Sequence, residues 1–369
     1  MSDQLHVAVL GAGGTIAPAI VRDLAESDEA ASLRLLDIDK EKAENTAQLF
    51  GGGKAAAHVV DGRESGALAA ALDGVDVLVN SASYRINENV MRECLESDTH
   101  YVDLGGLYHV TGRQLEMDEA FQRAGLLALL GMGSAPGKTN VMAAVAMEAL
   151  GGEVDRIDVI AGGRDLDPPA GFAPPYAVQT LLDELTMNPI ILREGRPVEI
   201  EPLTDAGVID FPDPIGDAPA IYTLHSELLT FGRSFGCTEC TFQLSLGPAV
   251  LERLKSLIGA SPAEVAAATA EAEKPSAQTV SFHMIDAWRE DRHVRVTCKT
   301  SPVARWNLGG SVVSTAAPAA AAVRLLARGE ITATGALPPE DCVTADALFG
   351  ELEKRGAEFS VTEYEAQGA

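Results

Sequence analysis

Positive charge is scarce in this chain: 28 Lys and Arg stand against 54 Asp and Glu, a formal net charge of −26. Nucleic acids and anionic membranes are both held by clustered cations, so neither is an expected partner. The acids are spread along the chain rather than gathered in one tail, which points to solubility or a salty habitat. Long, uninterrupted apolar runs are missing too. The most membrane-like stretch, Ser311 to Ala327, is Ala-rich but carries Ser, Thr, Pro318 and Arg324. It is expected to fall short of the ~20-residue apolar span a bilayer requires and to be a packed helix. No charged start, apolar core and cleavage site open the chain, because the run His6 to Leu10 is short and passes directly into a glycine turn. The mature protein is therefore expected to begin at or near Met1. Cysteine is sparse: Cys94, Cys237, Cys240, Cys298 and Cys342 form an odd, scattered set, which fits a reduced, cytoplasmic location. Cys237-Thr-Glu-Cys240 has metal or redox spacing, yet no second Cys or His pair completes a zinc set, so no metal site is expected. There are no internal repeats, and low complexity is confined to the Ala-rich helix and to Ala263–Ala272.

What is present is most informative between His6 and Ile38. The run His6-Val-Ala-Val-Leu10 reads as a short buried strand, Gly11-Ala-Gly-Gly-Thr15 as a tight turn, and Ile16 to Leu24 as a helix. A second strand, Leu33 to Leu36, ends on Asp37. Glycines let the backbone approach a diphosphate, a helix N-terminus offers amides to that anion, and an acid ending the second strand can accept from a ribose diol. Gly11, Gly13, Gly14, Thr15 and Ile16 are the phosphate candidates, with Asp37 and Ile38 at the ribose. Ile16 stands where the strict pattern has a third small residue; Gly11, Gly14 and Ala17 satisfy a looser glycine-x-x-glycine-x-x-alanine spacing. Asp37 favours NAD, because a carboxylate there repels the 2′-phosphate of NADP. Lys40 keeps NADP open.

After Asp37 the strand and helix patterns keep alternating, which means a parallel sheet wrapped by helices. Helices are expected over Lys40–Leu49, from near Ser65 to Leu72, over Asn87–Ser97 and over Thr111–Ala124. The strands are His58–Val60, Val75–Val79, Tyr101–Asp103 and Leu126–Leu130. Ligands of such sheets sit beyond the carboxyl ends of the strands, which selects Asp61, Asn80 to Ser83, Asp103 to Gly106 and Gly131 to Gly137. From about Asp155 longer β patterns take over, broken by Pro168-Pro169, Pro174-Pro175 and Pro212 to Pro214. Ile190–Ile200 reads as a hairpin about Glu194-Gly195, and Thr279–Trp288 with His293–Lys299 as two strands joined by a charged loop. At 369 residues, 46% of them hydrophobic, two domains are expected. Gly137-Lys138-Thr139 imitates a nucleoside-triphosphate loop, but the required upstream glycine falls on Met132. An ATP site is not expected, and Gly133 to Gly137 is read as a tight exit from a sheet strand.

Gly11-Ala-Gly-Gly14, Val79-Asn-Ser-Ala-Ser83, Tyr101-Val-Asp-Leu-Gly-Gly106 and Gly133-Ser-Ala-Pro-Gly-Lys-Thr-Asn140, in this order, resemble the saccharopine dehydrogenase-like superfamily. Tyr222-Thr-Leu-His-Ser-Glu227 and Gly335-Ala-Leu-Pro-Pro-Glu340 extend the resemblance over nearly the whole chain. It implies an α/β fold with a discontinuous Rossmann domain, 1–137 and 308–369, interrupted by an α+β substrate and dimerisation domain, 138–307. It also implies an NAD(P)-dependent oxidoreductase acting at a carbon–nitrogen bond of an amino acid or amine conjugate, and a homodimer. On motif position, Asn80, Ser81, Ala82, Ser83, Leu104 and Gly105 would line the nicotinamide end of the cleft, and Asp61 with Gly62 the adenine end. Asp103 is a candidate for a substrate ammonium or iminium, the alternative being a carboxylate that holds its own turn. His225 is the candidate for proton transfer or carboxylate binding, since an imidazole titrates near neutral pH. Arg305, Lys138 and, more weakly, Arg233 are the cations for a substrate carboxylate. Tyr84 and Tyr222 are candidates to close the pocket. A lysine 6-dehydrogenase-type deaminase shares these motifs, and a non-catalytic NAD-binding sensor or scaffold is the alternative of another class.

Overall fold

The structure is a computed structural model describing residues 4–64 and 66–364. It divides into two compact units, Met1–Val141 with Thr315–Leu352 and Met142–Ser314 with Glu353–Ala369.

The first unit is built on the strands β1 (Leu5–Leu10), β2 (Ala30–Asp37), β3 (Ala55–Val59), β4 (Val77–Asn80), β5 (His100–Asp103) and β6 (Leu127–Leu129). A late strand, Gly335–Leu337, joins them, giving a seven-stranded sheet in which every pairing is parallel. Across the sheet the order is β3-β2-β1-β4-β5-β6 followed by the late strand, the doubly wound arrangement of dinucleotide-binding folds. The inner strands β4 and β6 are apolar over Val77–Val79 and Leu127–Leu129 and buried throughout, as strands covered on both faces are. The helix Ala17–Ala25 shows why the local pattern works: Ala17, Ile20, Val21 and Leu24 recur at helical spacing and are all fully buried.

Three local expectations shift. The strand placed at His58–Val60 runs instead from Ala55, where Ala55 pairs with Leu33, because an alanine run carries little strand signal of its own. The single helix expected over Thr111–Ala124 is two, Leu107–Leu115 and Asp118–Ala124. The helix expected near Ser65 is described from Ala67 to Ala71; Ser65 itself lies outside the described residues. The Ala-rich helix, Gly310–Ala327, has a mean hydropathy of 1.3 and is long and apolar enough to cross a membrane, which corrects the expectation that it falls short. It is nevertheless 78% buried inside the protein, so it is a packed helix as read. Within it Arg324 is buried and bonded to both Asp23 and Glu351.

The second unit carries a nine-stranded mixed sheet. Its strands are β7 (Arg156–Asp165), β8 (Ile190–Arg193), β9 (Arg196–Glu199), β10 (Asp205–Phe211), β11 (Gly216–Tyr222), β12 (Glu239–Leu244), β13 (Thr279–Arg289) and β14 (Arg292–Thr300). The ninth, β16, is Ala357–Tyr364, the late strand Gly335–Leu337 being β15. The expected hairpins are both there. Glu194 and Gly195 both have positive φ, 50° and 70°, the turn that matches the twist of paired strands. The closing segment, expected with the first domain, instead ends in the second sheet: β16 pairs along its length with β14, from Ala357–Thr300 to Tyr364–His293.

Candidate functional site

In the first unit, β1 and β4 lie side by side with Leu10 opposite Asn80, so the loops that leave them diverge at the point where strand order reverses. That crevice is where a doubly wound sheet takes its ligand. Gly11 has φ +75°, and a Cβ there would lie 2.8 Å from the backbone of Ala82. No other residue fits this contact between the two loops. A Cβ on Gly13 would strike Lys42, so the turn presents bare backbone. The helix that follows has no side-chain cap at Ile16 and no acid in its first turn, which leaves its N-terminal end electropositive for an anion. Gly14 and Thr15 are exposed at that end.

Asp37 closes β2 beside the turn. Its Oδ2 accepts from the Gly13 amide at 2.8 Å and its Oδ1 from the Asp39 amide at 2.8 Å. Each oxygen retains a lone-pair position for a ribose hydroxyl. Ile38 is 60% exposed next to it. Asp61 and Gly62 follow β3: Gly62 packs where a Cβ would meet Leu10 and Ile86, and Asp61 is paired with Arg63 at 2.6 Å, which holds its carboxyl down to about 2. On the other side of the crevice, Asn80 Oδ1 accepts from the Ala82 amide at 3.1 Å, and Ser83 caps the short turn Tyr84–Ile86. The buried Ser81 Oγ has no hydrogen-bond partner among the described residues. A bare glycine turn, an uncapped helix, an acid at the second strand and an unsatisfied buried hydroxyl together fit a dinucleotide.

Asp103, at the end of β5, is buried and accepts from five donors. Its Oδ2 takes Gln114 Nε2 at 2.7 Å, Asn87 Nδ2 at 2.9 Å and Tyr101 Oη at 2.9 Å; its Oδ1 takes the Gly131 amide at 2.6 Å and the Gly105 amide at 2.9 Å. A carboxylate has about four lone-pair sites, so Asp103 has none left for a substrate nitrogen. Burial pushes its carboxyl up from the ordinary value, against the pull of those donors. This geometry matches the alternative reading, a carboxylate that holds its own turn. Asn87 and Gln114 were not singled out in the sequence, because a helix-opening Asn and a Gln in the last turn of a helix carry no local mark of a distant partner.

Gly133 to Gly137 is the tight exit expected of it: Gly133 and Gly137 form a β-bridge, and Gly137 has φ +125°. Lys138 begins the helix Lys138–Ala149 and is buried. Asn140 accepts from the Gly137 amide at 2.7 Å and donates to Glu340 Oε2 at 2.7 Å, joining two of the motifs quoted above.

Against this geometry, residues 7–129 match the saccharopine dehydrogenase NADP binding domain. The chain is also similar to carboxyaminopropylagmatine dehydrogenase of Synechocystis sp., 25% identical over 263 residues that cover 68% of this chain and 65% of that protein. Carboxynorspermidine synthase of Vibrio cholerae serotype O1 is 26% identical over 187 residues, 47% of this chain and 44% of that one. The similarity thus spans less than two thirds of either relative's length. Two solved structures share the fold. Apo saccharopine dehydrogenase (L-Glu forming) from Saccharomyces cerevisiae has a TM-score of 0.72 at 15% identity, covering 98% of this chain and 100% of that one. Homospermidine synthase from Legionella pneumophila, solved with NAD, has a TM-score of 0.73 at 12% identity, covering 99% and 92%.

The second unit holds the remaining candidates. His225 is buried and stacked flat on Phe242, ring centroids 3.4 Å apart. Its Nε2 lies 3.8 Å from Glu184 Oε1 and its Nδ1 3.6 Å from Glu227 Oε2, and neither ring nitrogen is hydrogen-bonded among the described residues. Burial pushes the Glu184 carboxyl up, His225 pulls it back, and Tyr176 donates to it at 2.5 Å. The hydroxyls of Thr223, Thr230 and Ser234 are also buried without a partner among the described residues. So many unsatisfied polar atoms in one segment mark a place for water or ligand. Tyr222 is not part of this group. It pairs with Gln243, the neighbour of Phe242, and successive strand residues face opposite sides of a sheet. Arg305 stacks on Trp306 at 4.7 Å and is exposed, as is Arg233 at the end of its helix.

Proposed function

We infer that this chain is an NAD(P)-dependent oxidoreductase moving a hydride to or from a carbon–nitrogen bond of an amino acid or amine conjugate. The observation that carries the reading is the bare glycine turn with Asp37 beside it, inside a segment that matches a NADP-binding domain. Gly11 to Ile16 hold the diphosphate, Asp37 and Ile38 the ribose, and Asp61 with Gly62 the adenine end. Asn80 to Ser83 with Leu104 and Gly105 line the nicotinamide end, and the carboxylate of Asp37 favours NAD over NADP. When bound, the nicotinamide supplies the hydride chemistry.

The substrate half is read from His225. A base between two buried carboxylates suits a nitrogen that gains or loses a proton; a substrate carboxylate would be repelled by Glu184 and Glu227. His225 accordingly handles the proton on nitrogen, and Arg305 or Lys138 takes a carboxylate. The names of the two relatives put carboxylated amine conjugates first among candidates. Free, mostly buried thiols support a reducing cytoplasm, and the second unit is the part through which a homodimer would form.

The test follows NADH and NADPH while the protein is offered carboxyaminopropylagmatine, carboxynorspermidine, saccharopine and lysine. Turnover is expected with a conjugate, and release of ammonia from lysine would instead mark a deaminase. His225→Gln should lower kcat by roughly 10²–10⁴, the range of a lost acid–base group, with coenzyme affinity unchanged. A protein that binds coenzyme but is inert toward every amine would overturn the substrate half.

A further inference from the structure

We propose that Asn87 and Gln114, acting through Asp103, are positioning residues that set the nicotinamide end of the cofactor cleft, an inference that rests on the coenzyme reading above. Neither residue has a role in any motif of the sequence. Both are helical, and both are fully buried together with the strand residues Asn80 and Asp103, each 2% exposed or less. A buried polar network has to be satisfied throughout or it destabilises the fold, and charge-assisted bonds inside it are strong.

The connections run in one direction, from helices to rim. Gln114, on the helix Leu107–Leu115, and Asn87, on the helix Asn87–Glu96, both donate to Asp103 Oδ2. Asp103 Oδ1 in turn fixes the amides of Gly105 and Gly131, the loops leaving β5 and β6. Asn87 Oδ1 also accepts from Asn80 Nδ2 at 2.9 Å, and Asn80 Oδ1 fixes the Ala82 amide at 3.1 Å. Ala82 is the residue whose backbone lies against Gly11. One carboxylate and three amides therefore hold three rim loops on adjacent strands. Gly105 has φ +126°, and a Cβ there would meet Pro136 at 2.9 Å, so its position is set by this bond and this packing rather than by a side chain. Among the described residues, the adenine end, Asp37 to Ile38 and Asp61 to Gly62, receives no bond from the network.

That asymmetry gives the test. Gln114→Met keeps length and apolar bulk but removes a donor to a charged acceptor. Titrating the full-length variant with NADH and with ADP-ribose, which lacks the nicotinamide, separates the two ends of the cleft. The NADH Kd should rise about tenfold, the low end for a lost bond to a charged group, while the ADP-ribose Kd stays within about twofold. Asn87→Ser should do the same. Equal weakening of both ligands, or no change in a folded variant, overturns the proposal, because a merely structural role would not tell the ligands apart. If Gln114→Met does not fold, Gln114→Asn, which keeps the amide one carbon short, takes the same measurement. A wild-type protein that binds neither ligand would instead sink the coenzyme reading itself.

Discussion

Asp37→Ser probes the coenzyme preference most directly. The carboxylate is half-buried at the rim, with its two oxygens already accepting from Gly13 and Asp39 at 2.8 Å. Two unit charges 4 Å apart interact by about 1 kcal/mol in water and about 4 kcal/mol at an effective dielectric of 20. A rim position belongs near the lower figure, and a phosphate monoester carries about −1.5 to −2, so removing Asp37 relieves NADPH of roughly 2 kcal/mol of repulsion. NADH loses an acceptor for its ribose diol, about 1.5 kcal/mol for a charged partner. The loosened Gly13 contact affects both coenzymes alike and cancels in their ratio. The NADH-to-NADPH preference should therefore move by roughly a hundredfold or more toward NADPH. Fluorescence titration of the reduced coenzymes reads it, and raising the salt should shrink the phosphate part, because exposed charges are screened. A ratio that moves less than about threefold in a folded variant would refute the placement of Asp37 against the ribose.

Other outcomes follow from the same geometry. Arg324→Ala leaves Asp23 buried without its guanidinium partner, and should cost about 3–5 kcal/mol in urea unfolding, the range for breaking a buried pair. Arg324→Met should be no worse, since both remove the same bonds and Met restores bulk. The Asp61 carboxyl should titrate near 2 by NMR, and Arg63→Ala should return it toward 3.8. Because its folded value is depressed, the pair's contribution is present above pH 3.8 and lost as pH falls through about 2. Burial pushes the Cys342 thiol up to about 12 and Cys94 higher still, so a thiol reagent at neutral pH should label neither rapidly in the native protein. All five cysteines should react after denaturation, and fewer would contradict their free state.

Much of the first unit was legible because its information is local. The alternation of apolar runs and helical spacing, the glycines at Gly11 to Gly14 and the acid at Asp37 lie within one βαβ unit, where sequence neighbours are neighbours in space. The hairpin at Glu194-Gly195 was legible for the same reason. Where the local signal was weak, as in the alanines of β3, the boundary moved.

Tertiary structure alone decided what the polar groups do. Asp103 could hold a substrate or its own turn until donors from Asn87, Gln114 and Gly131 filled it, and none of them lies within ten residues. His225, in a loop, meets Glu184 from a distant helix, and the strand register turns Tyr222 to the other face of the sheet. The terminal strand Ala357–Tyr364 found β14, some sixty residues upstream, a pairing no periodicity announces. The hydrophobic period of a segment is a property of that segment, and so can be read from it. Which distant donor reaches a buried carboxylate depends on how whole elements pack, and only the folded chain settles that.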